Sequence, residues 1–344
     1  MSARVGAAAV GGCGGGVRIL GSGSALPHRV MTNADLEKIM DTSDEWIVQR
    51  TGIRQRHVYR QDIGESTAAL ASAALRAALE NAGLAPTDLD HIVVATMTGD
   101  MPTPSVGCVV AHEVGCGSVG AVDLNGACCG FVFALNYAHA LVKTGMARTV
   151  AVIGADTITR FIEFSTHGRN GAILFGDGAA AVIIRADPDP RLGLVAQAMH
   201  TDGGRACHLF IPLRDDQYPE QQNPTDRMLG LLHMNGQAVF KFAVQKFPEV
   251  IEETLSLAGL AAEEVDHYVC HQANTRILES ARERFGLDPA RLPINIERLG
   301  NTVAASAPLL FDEIRRAGRV REGQRVMFLA FGAGLTWGSS LWQL

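Results

Sequence analysis

The sequence predicts a duplicated α/β fold, an αβαβα sandwich built from two similar halves. Three observations predict it. Residues 78–96, ALENAGLAPTDLDHIVVAT, resemble residues 254–272, TLSLAGLAAEEVDHYVCHQ, at a shift of 176 positions. The same shift lays Asn125, in DLNGACCG, on Asn301, in LGNTVAAS, and the segment TVAVIGA (149–155) on RVMFLAF (325–331). Each half also alternates helical and strand patterns, which implies helices on both faces of a mostly parallel sheet.

In chain order, residues 1–16 are rich in Gly and Ala, with no apolar core of a signal peptide, and read as a flexible leader outside the fold. Residues 17–186 form the first predicted half and 187–344 the second. Residues 66–83 spell an Ala/Leu-rich helix opened by Ser66, and Pro86 punctuates the loop that follows. IVVAT (92–96) is a short apolar run suited to a buried strand. A helix is expected near Pro104, then the strand VGAVDL (119–124), a helix from about Cys129 to Met146, and the strand TVAVIGA. Residues 156–178 and 201–235 have no counterpart at the shift. Polar and glycine-rich, they are expected to cap the entrance of a site.

The composition narrows the function classes. With 344 residues, 47% hydrophobic and 19% charged, the chain can bury a large core, and disorder is excluded as its general state. A net charge of −6 argues against a nucleic-acid binder. Seven cysteines, an odd number with no CxxC pair, fit reduced cytoplasmic thiols better than a disulfide framework or a zinc site. No run approaches the roughly 18–20 apolar residues of a membrane span.

The residue that carries chemistry most clearly is Cys128. It stands where AVDL turns through Asn125-Gly126 into an apolar helix, and there the helix dipole is expected to lower its pKa. Most cysteines are merely small buried hydrophobes. Neighbouring Cys129, one residue deeper in the helix, is assigned that structural role. His271 ends the strand-like DHYVCH and opens QANTRIL, a position suited to hydrogen-bond donation or proton exchange. Asn301 precedes a helix and could be a simple N-cap. The repeat weighs against that, since it sets Asn301 at the counterpart of the Cys128 elbow, so both can face one cleft. FGAGLTWG (331–338) is a glycine-rich turn between two apolar strands, where a backbone N–H could join that of Cys128 as an oxyanion hole. Asp177, in FGDGAAA, reads as a turn former.

Taken together, TNADLEKIMDTSDEWIVQRTGIRQRH (32–57), ACCGFVFAL (127–135), HQANTRIL (271–278), GNTVAASAP (300–308) and FGAGLTWGSSL (331–341) identify a resemblance. The chain resembles the type III β-ketoacyl-acyl-carrier-protein synthases, among the thiolase-fold condensing enzymes, over nearly everything from Val17 to Leu344. The resemblance implies a ping-pong decarboxylative Claisen condensation of an acyl-CoA with malonyl-acyl carrier protein, both substrates, with no cofactor and no metal. By motif position Cys128 carries the acyl group, and His271 and Asn301 stabilise the enolate. The N–H groups of Cys128 and Ala333 form the oxyanion hole, with Ala333 standing where the family often has Gly. Thr42, Trp46, Arg50 and Arg169 match the grip on the adenine end of coenzyme A, and Phe240, Ala273 and Asn274 the pantetheine tunnel. Lys241, Arg276 and Arg284 match the carrier-protein docking patch, where Glu283 replaces a frequent lysine. Asn170 replaces a common Gly beside Arg169.

The resemblance also implies a cytoplasmic homodimer that uses VGAVDL as an edge. Thr103 stands where acetyl-primed relatives tend to carry a Phe reaching across that interface, so primers longer than acetyl are expected. Rival chemistries of the fold fit less well. No cysteine follows Cys270 to serve a degradative thiolase, and Asn301 takes the place of the second histidine of chain-elongating synthases. No acidic residue matches the base of a hydroxymethylglutaryl-CoA-type synthase. A type III-like synthase of secondary metabolism, priming polyketides or forming esters or quinolones with the same triad, stays open as the alternative. A catalytically silent acyl-binding scaffold would have lost a triad member, and all three are here.

Overall fold

The computed structural model describes residues 14–220 and 227–344. Positions 1–13 of the expected leader and part of the expected 201–235 cap lie outside them. Nine strands of the described residues build the two main sheets. The first sheet takes β1 (Gly16–Ala25), β2 (His91–Ala95), β3 (Gly120–Leu124), β4 (Thr149–Asp156) and β5 (Gly178–Asp187) in the order β1-β5-β4-β2-β3. The second takes β6 (Gly193–Thr201), β7 (His267–Cys270), β8 (Arg325–Gly332) and β9 (Thr336–Gln343) in the order β6-β9-β8-β7.

The two orders run in step until β3. In the first sheet β1 and β4 pair antiparallel with β5, while β4-β2 and β2-β3 are parallel. In the second, β6-β9 and β9-β8 are antiparallel and β8-β7 is parallel. The sheets are therefore mixed, not mostly parallel. The reason is local: each central strand turns back into its neighbour, through 157–177 in one half and the short turn 333–335 in the other. The counterpart of β3 in the second half is a loop and the short helix Ile296–Leu299, which leaves β3 as a free edge of the first sheet.

Side-chain alternation along the central strands sorts the layers. Val150 and Val152 of β4, with Val326, Phe328 and Ala330 of β8, face a common core around the helices Gly130–Lys143 and Ser306–Arg316. Ala151, Ile153 and Ala155 face outward onto the helices Thr67–Ala82 and Val106–Val114. Met327, Leu329 and Phe331 face outward onto Gly236–Ala258 and Thr275–Phe285. This is the αβαβα sandwich the repeat predicts.

The predicted punctuation holds. Ser66 caps its helix, its Oγ accepting from the Ala69 N–H at 3.1 Å, and Ser105 opens the helix expected near Pro104. The helix after the cysteine elbow, Gly130–Lys143, starts one residue later than expected because Ala127–Cys129 form a tight 3₁₀ turn first, and it ends three residues earlier, just before Gly145 at φ +75°. Asp177 is a buried tie: it accepts from the N–H of Tyr59 at 2.8 Å and of Thr159 at 2.9 Å. No helix among the described residues is long and apolar enough to cross a membrane.

The halves meet without room to spare. A Cβ on Gly154 of β4 would lie 2.5 Å from the main-chain oxygen of Ala304, in the second half. Gly154→Ala should therefore lower stability by about 1–3 kcal/mol, the usual cost of overpacking. Urea denaturation checks this, and an unchanged midpoint would show that the two halves can move apart.

Candidate active site

Two elbows with the same backbone conformation form the floor of the site. In the first, Asn125 Oδ1 accepts from the Ala127 N–H at 3.3 Å, and Ala127 takes φ +45°. In the second, Asn301 Oδ1 accepts from the Val303 N–H at 3.0 Å, and Val303 takes φ +52°. Each positive φ starts a 3₁₀ turn, Ala127–Cys129 or Val303–Ala305, that runs straight into a buried helix. Non-glycine residues rarely adopt this conformation, and here it occurs twice at the repeat shift.

Cys128, His271 and Asn301 line one cavity of about 490 Å³ and are 8%, 1% and 6% exposed. Gly332, the last residue of β8, presses against the cysteine. A Cβ there would lie 2.7 Å from the Cys128 Cβ. Its absence lets the chain place the Ala333 N–H, together with that of Cys128, in hydrogen-bonding reach of the Cys128 sulfur. Ala333 is not among the positive-φ residues, so Ala in place of Gly carries no strain.

Burial pushes the Cys128 thiol up from its ordinary range, reinforced by the nearby Cys129 and Asp156 and opposed by the two N–H groups. This corrects the expectation of a lowered pKa. Desolvation of a buried sulfur outweighs the helix end, so the resting residue is a thiol. Cys129 packs in the central core with its own thiol pushed up to about 12 by burial, in keeping with a structural role. Burial also pushes His271 down to about 3, against a weaker contribution from the Val303 main chain, so the imidazole is neutral. Its Nδ1 is buried with no partner in good geometry. Asn301 lines the cavity, and with its Oδ1 engaged by Val303 the donor it has left is its Nδ2.

The walls and mouth hold most of the other expected residues. Phe240, Ala273 and Asn274 line the cavity, and so do Trp46 and Arg50. The Trp46 indole lies between two guanidinium groups, Arg50 at 4.4 Å and Arg169 at 4.6 Å from its ring centre. Thr42 is half-buried nearby and, like Arg169, does not line the cavity. Lys241 is exposed, and Arg276 is exposed with its guanidinium 5.1 Å from the Phe240 ring. Arg284 instead pairs with Glu252 at 2.7 Å, across neighbouring helices. A smaller apolar pocket of about 30 Å³ continues past Cys128 between Met97, Phe210, Ile211 and Leu232. Thr103 is exposed and lines neither cavity of its own chain.

Two further residues shape this floor. Gly332 belongs to a motif already singled out, but its contact with Cys128 depends on folding. Asp156, buried beside the second elbow, has no local signal; only the repeat marks it, because 156 falls on Gly332 at the same shift. Among the described residues no three or more His, Cys, Asp or Glu side chains are grouped to hold a metal ion.

Residues 122–203 match the family described as 3-oxoacyl-[acyl-carrier-protein (ACP)] synthase III, and residues 255–344 match its C-terminal family. The β-ketoacyl-[acyl-carrier-protein] synthase III of Thiobacillus denitrificans is 45% identical over 325 residues, covering 94% of this chain and 98% of that one. The chain belongs to the synthase III family. The solved synthase III of Thermus thermophilus superposes with a TM-score of 0.88 at 40% identity, covering 95% of this chain and 98% of that one. The priming β-ketosynthase of the R1128 polyketide biosynthetic pathway has a TM-score of 0.88 at 34% identity and covers 98% of both chains.

For this synthase III the buried thiol makes a direct prediction. A raised pKa keeps the sulfur protonated to higher pH, so alkylation of Cys128 by iodoacetamide should still be climbing at about pH 9, above an ordinary thiol near 8.5. Peptide mass spectrometry separates it from the exposed Cys108 and Cys207. A plateau near neutral pH would mean a resting thiolate.

Proposed function

We propose that this chain starts fatty-acid synthesis by joining an acyl-CoA primer to malonyl-acyl carrier protein. Cys128 displaces coenzyme A from the thioester, passing its proton to the leaving thiolate. The malonyl group then loses CO2, and the electron pair of the broken bond becomes the enolate of the carrier-bound thioester. That carbon attacks the acyl carbonyl, the Cys128 thiolate leaves, and one proton returns it to the thiol. The product is 3-oxoacyl-acyl carrier protein. The observation that carries this reading is the convergence of Cys128, His271 and Asn301 on one cavity floor, with two N–H groups aimed at the sulfur.

Each role follows from the donor chemistry. A neutral imidazole and a carboxamide can both donate to the enolate oxygen without protonating its carbon. The N–H groups of Cys128 and Ala333 serve the thioester oxyanion, where such donors act with no reorganisation cost. At the mouth, Arg50 and Arg169 suit the phosphates of coenzyme A, and Trp46 suits its purine. Thr42 supports that grip, and the Phe240, Ala273 and Asn274 walls take the pantetheine arm. Lys241 and Arg276 are exposed cations suited to an acidic carrier protein; Arg284 joins them by exchanging its Glu252 partner. We assign the nucleophile to a half spanning 17–186 and the His and Asn to a half spanning 187–344, working in the cytoplasm without a cofactor. The likeness to the R1128 priming β-ketosynthase supports a second reading, a priming synthase of secondary metabolism with the same steps and a dedicated carrier protein.

The two half-reactions should separate by mutation. Cys128→Ser should take no label from radiolabelled acyl-CoA. His271→Ala and Asn301→Ala should lower CO2 release from malonyl-carrier protein by about 10²–10³-fold, the usual loss of one such donor, yet still acylate Cys128 slowly. Native condensation by Asn301→Ala would reduce that residue to a turn former.

The primer reading rests on a homodimer. The free edge strand β3 exposes Val122 at 46%, a form of edge that pairing covers. Asp123 of β3 accepts from the N–H groups of Val106 at 2.7 Å and Gly107 at 2.8 Å, which ties the loop carrying Thr103 to the same edge. Within one chain the pocket past the sulfur suits little more than an acetyl methyl. Space for a longer primer comes from the partner, where Thr103 leaves room a Phe would fill. Thr103→Phe should shift kcat/KM toward acetyl-CoA across a series from acetyl to dodecanoyl, each lost methylene worth roughly 0.8 kcal/mol. An unmutated enzyme that already prefers acetyl-CoA would remove Thr103 from the argument.

A further inference from the structure

Asp156 is a carboxylate with no access to solvent and, among the described residues, no cation paired with it. Its Oδ1 accepts from Thr98 Oγ1 at 2.8 Å, the Met97 N–H at 3.0 Å and Thr96 Oγ1 at 3.2 Å. Its Oδ2 accepts from the Ala304 N–H at 3.1 Å. The first three donors belong to the loop after β2, whose Met97 walls the apolar pocket at Cys128. The fourth belongs to the second elbow, three residues past Asn301 and one past Val303, which walls the same pocket.

The repeat gives this arrangement its meaning. Ala304 is the counterpart of Cys128, and Asp156 is the counterpart of Gly332. At the first elbow, a bare glycine leaves the Cys128 N–H pointed at the site. At the second, a carboxylate in the matching place takes the equivalent N–H and ties the turn to the opposite sheet. We infer that Asp156 is a positioning residue for the malonyl half-reaction, holding the Asn301 elbow in register with the pocket at Cys128. This rests on the condensing function proposed above.

The same carboxylate acts on the sulfur in the opposite sense. Its charge disfavours the Cys128 thiolate. The other titratable groups at this floor are the Cys129 thiol and the neutral His271 imidazole. The contacts of Asp156 itself are the four neutral donors, and burial holds it up at about 6. Near neutral pH it is therefore mostly charged. Asp156 thus holds the second substrate's elbow at some cost to the first substrate's nucleophile.

Asp156→Asn separates the two effects without changing shape. If the amide oxygen keeps the three donors of the 96–98 loop, the amide NH2 meets the Ala304 N–H, donor against donor, and the elbow is released. The test uses the full chain, malonyl-carrier protein and the primer it takes best from the series acetyl- to dodecanoyl-CoA. Acylation of Cys128 and CO2 release are measured separately, with the pH profile of Cys128 alkylation. In Asp156→Asn, kcat for CO2 release should fall about a hundredfold, as a displacement of roughly 1 Å can cause, with KM for malonyl-carrier protein little changed. The alkylation profile should move to lower pH and acylation should quicken. Both half-reactions slowing together on an unmoved profile would overturn the inference, and so would wild-type CO2 release. If that variant does not fold, Thr98→Val keeps the charge and removes one donor. It should show a smaller loss confined to CO2 release, and equal loss in both half-reactions would overturn the assignment. An unmutated chain that neither acylates nor releases CO2 overturns the function reading itself, a result distinct from any variant difference.

Discussion

Each half of this chain carries the other half's elbow. The end of β8 packs on the 127–129 turn of the first half, and β4 packs on the 303–305 turn of the second. The approach is close enough that Gly332 meets the Cys128 backbone and Gly154 meets the Ala304 carbonyl with no side chain between them. Everything at the floor depends on this reciprocal contact. It brings residues 173 positions apart, Cys128 and Asn301, into one cavity, and it sets the Ala333 N–H beside a sulfur of the other half. The donors sit on tight turns packed directly against the central strands of the two sheets.

The electrostatics follow from the same enclosure. Desolvation raises the Cys128 thiol, lowers His271 to about 3 and raises Asp156 to about 6, so each group is pushed toward its neutral form. Apart from the Asp156 carboxylate, the charges stand at the mouth, where Arg50, Arg169 and Arg276 keep contact with water. A site of this kind binds anionic substrates at its rim and does its chemistry with oriented neutral donors, which are worth most where water is excluded. Enolate stabilisation suits such a floor better than proton transfer does, because a histidine this hard to protonate makes a poor acid in the resting state.

What is local or repeated was legible in the amino-acid sequence. Ser66, Pro104 and the apolar runs of β4 and β8 announce their elements directly, and the shift of 176 lays one elbow on the other from residue spacing alone. What the chain cannot announce depends on the far half. The helix end beside Cys128 argues for a low pKa, but the opposing half removes the water and reverses the sign. The mixed strand directions come from how β5 and β9 return beside their partners, which periodicity does not encode. Arg284 reads as a free cation in the sequence, yet Glu252, 32 positions away, faces it across two packed helices. Asp156 is an ordinary aspartate until 156 is set against 332.

A duplicated backbone provides each geometry twice, and single side chains then decide which copy does what. Asn125 and Asn301 hold their turns in the same way, but Asn125 is exposed beside the free edge of β3 while Asn301 is buried against the cavity. Cys128 stands against Ala304 at the third position past the asparagine, so only one elbow carries a sulfur. His271 directly follows β7 at the place where Ala95 ends β2, so only one strand brings an imidazole to the floor. Gly332 stands against Asp156, so one elbow keeps its N–H for a ligand and the other surrenders it to a carboxylate. Three substitutions on a common frame, with one shared asparagine, are enough to turn two equivalent elbows into a nucleophile and an enolate cradle that face each other. The symmetry of the backbone provides the facing geometry, and the asymmetry of these three pairs provides the chemistry.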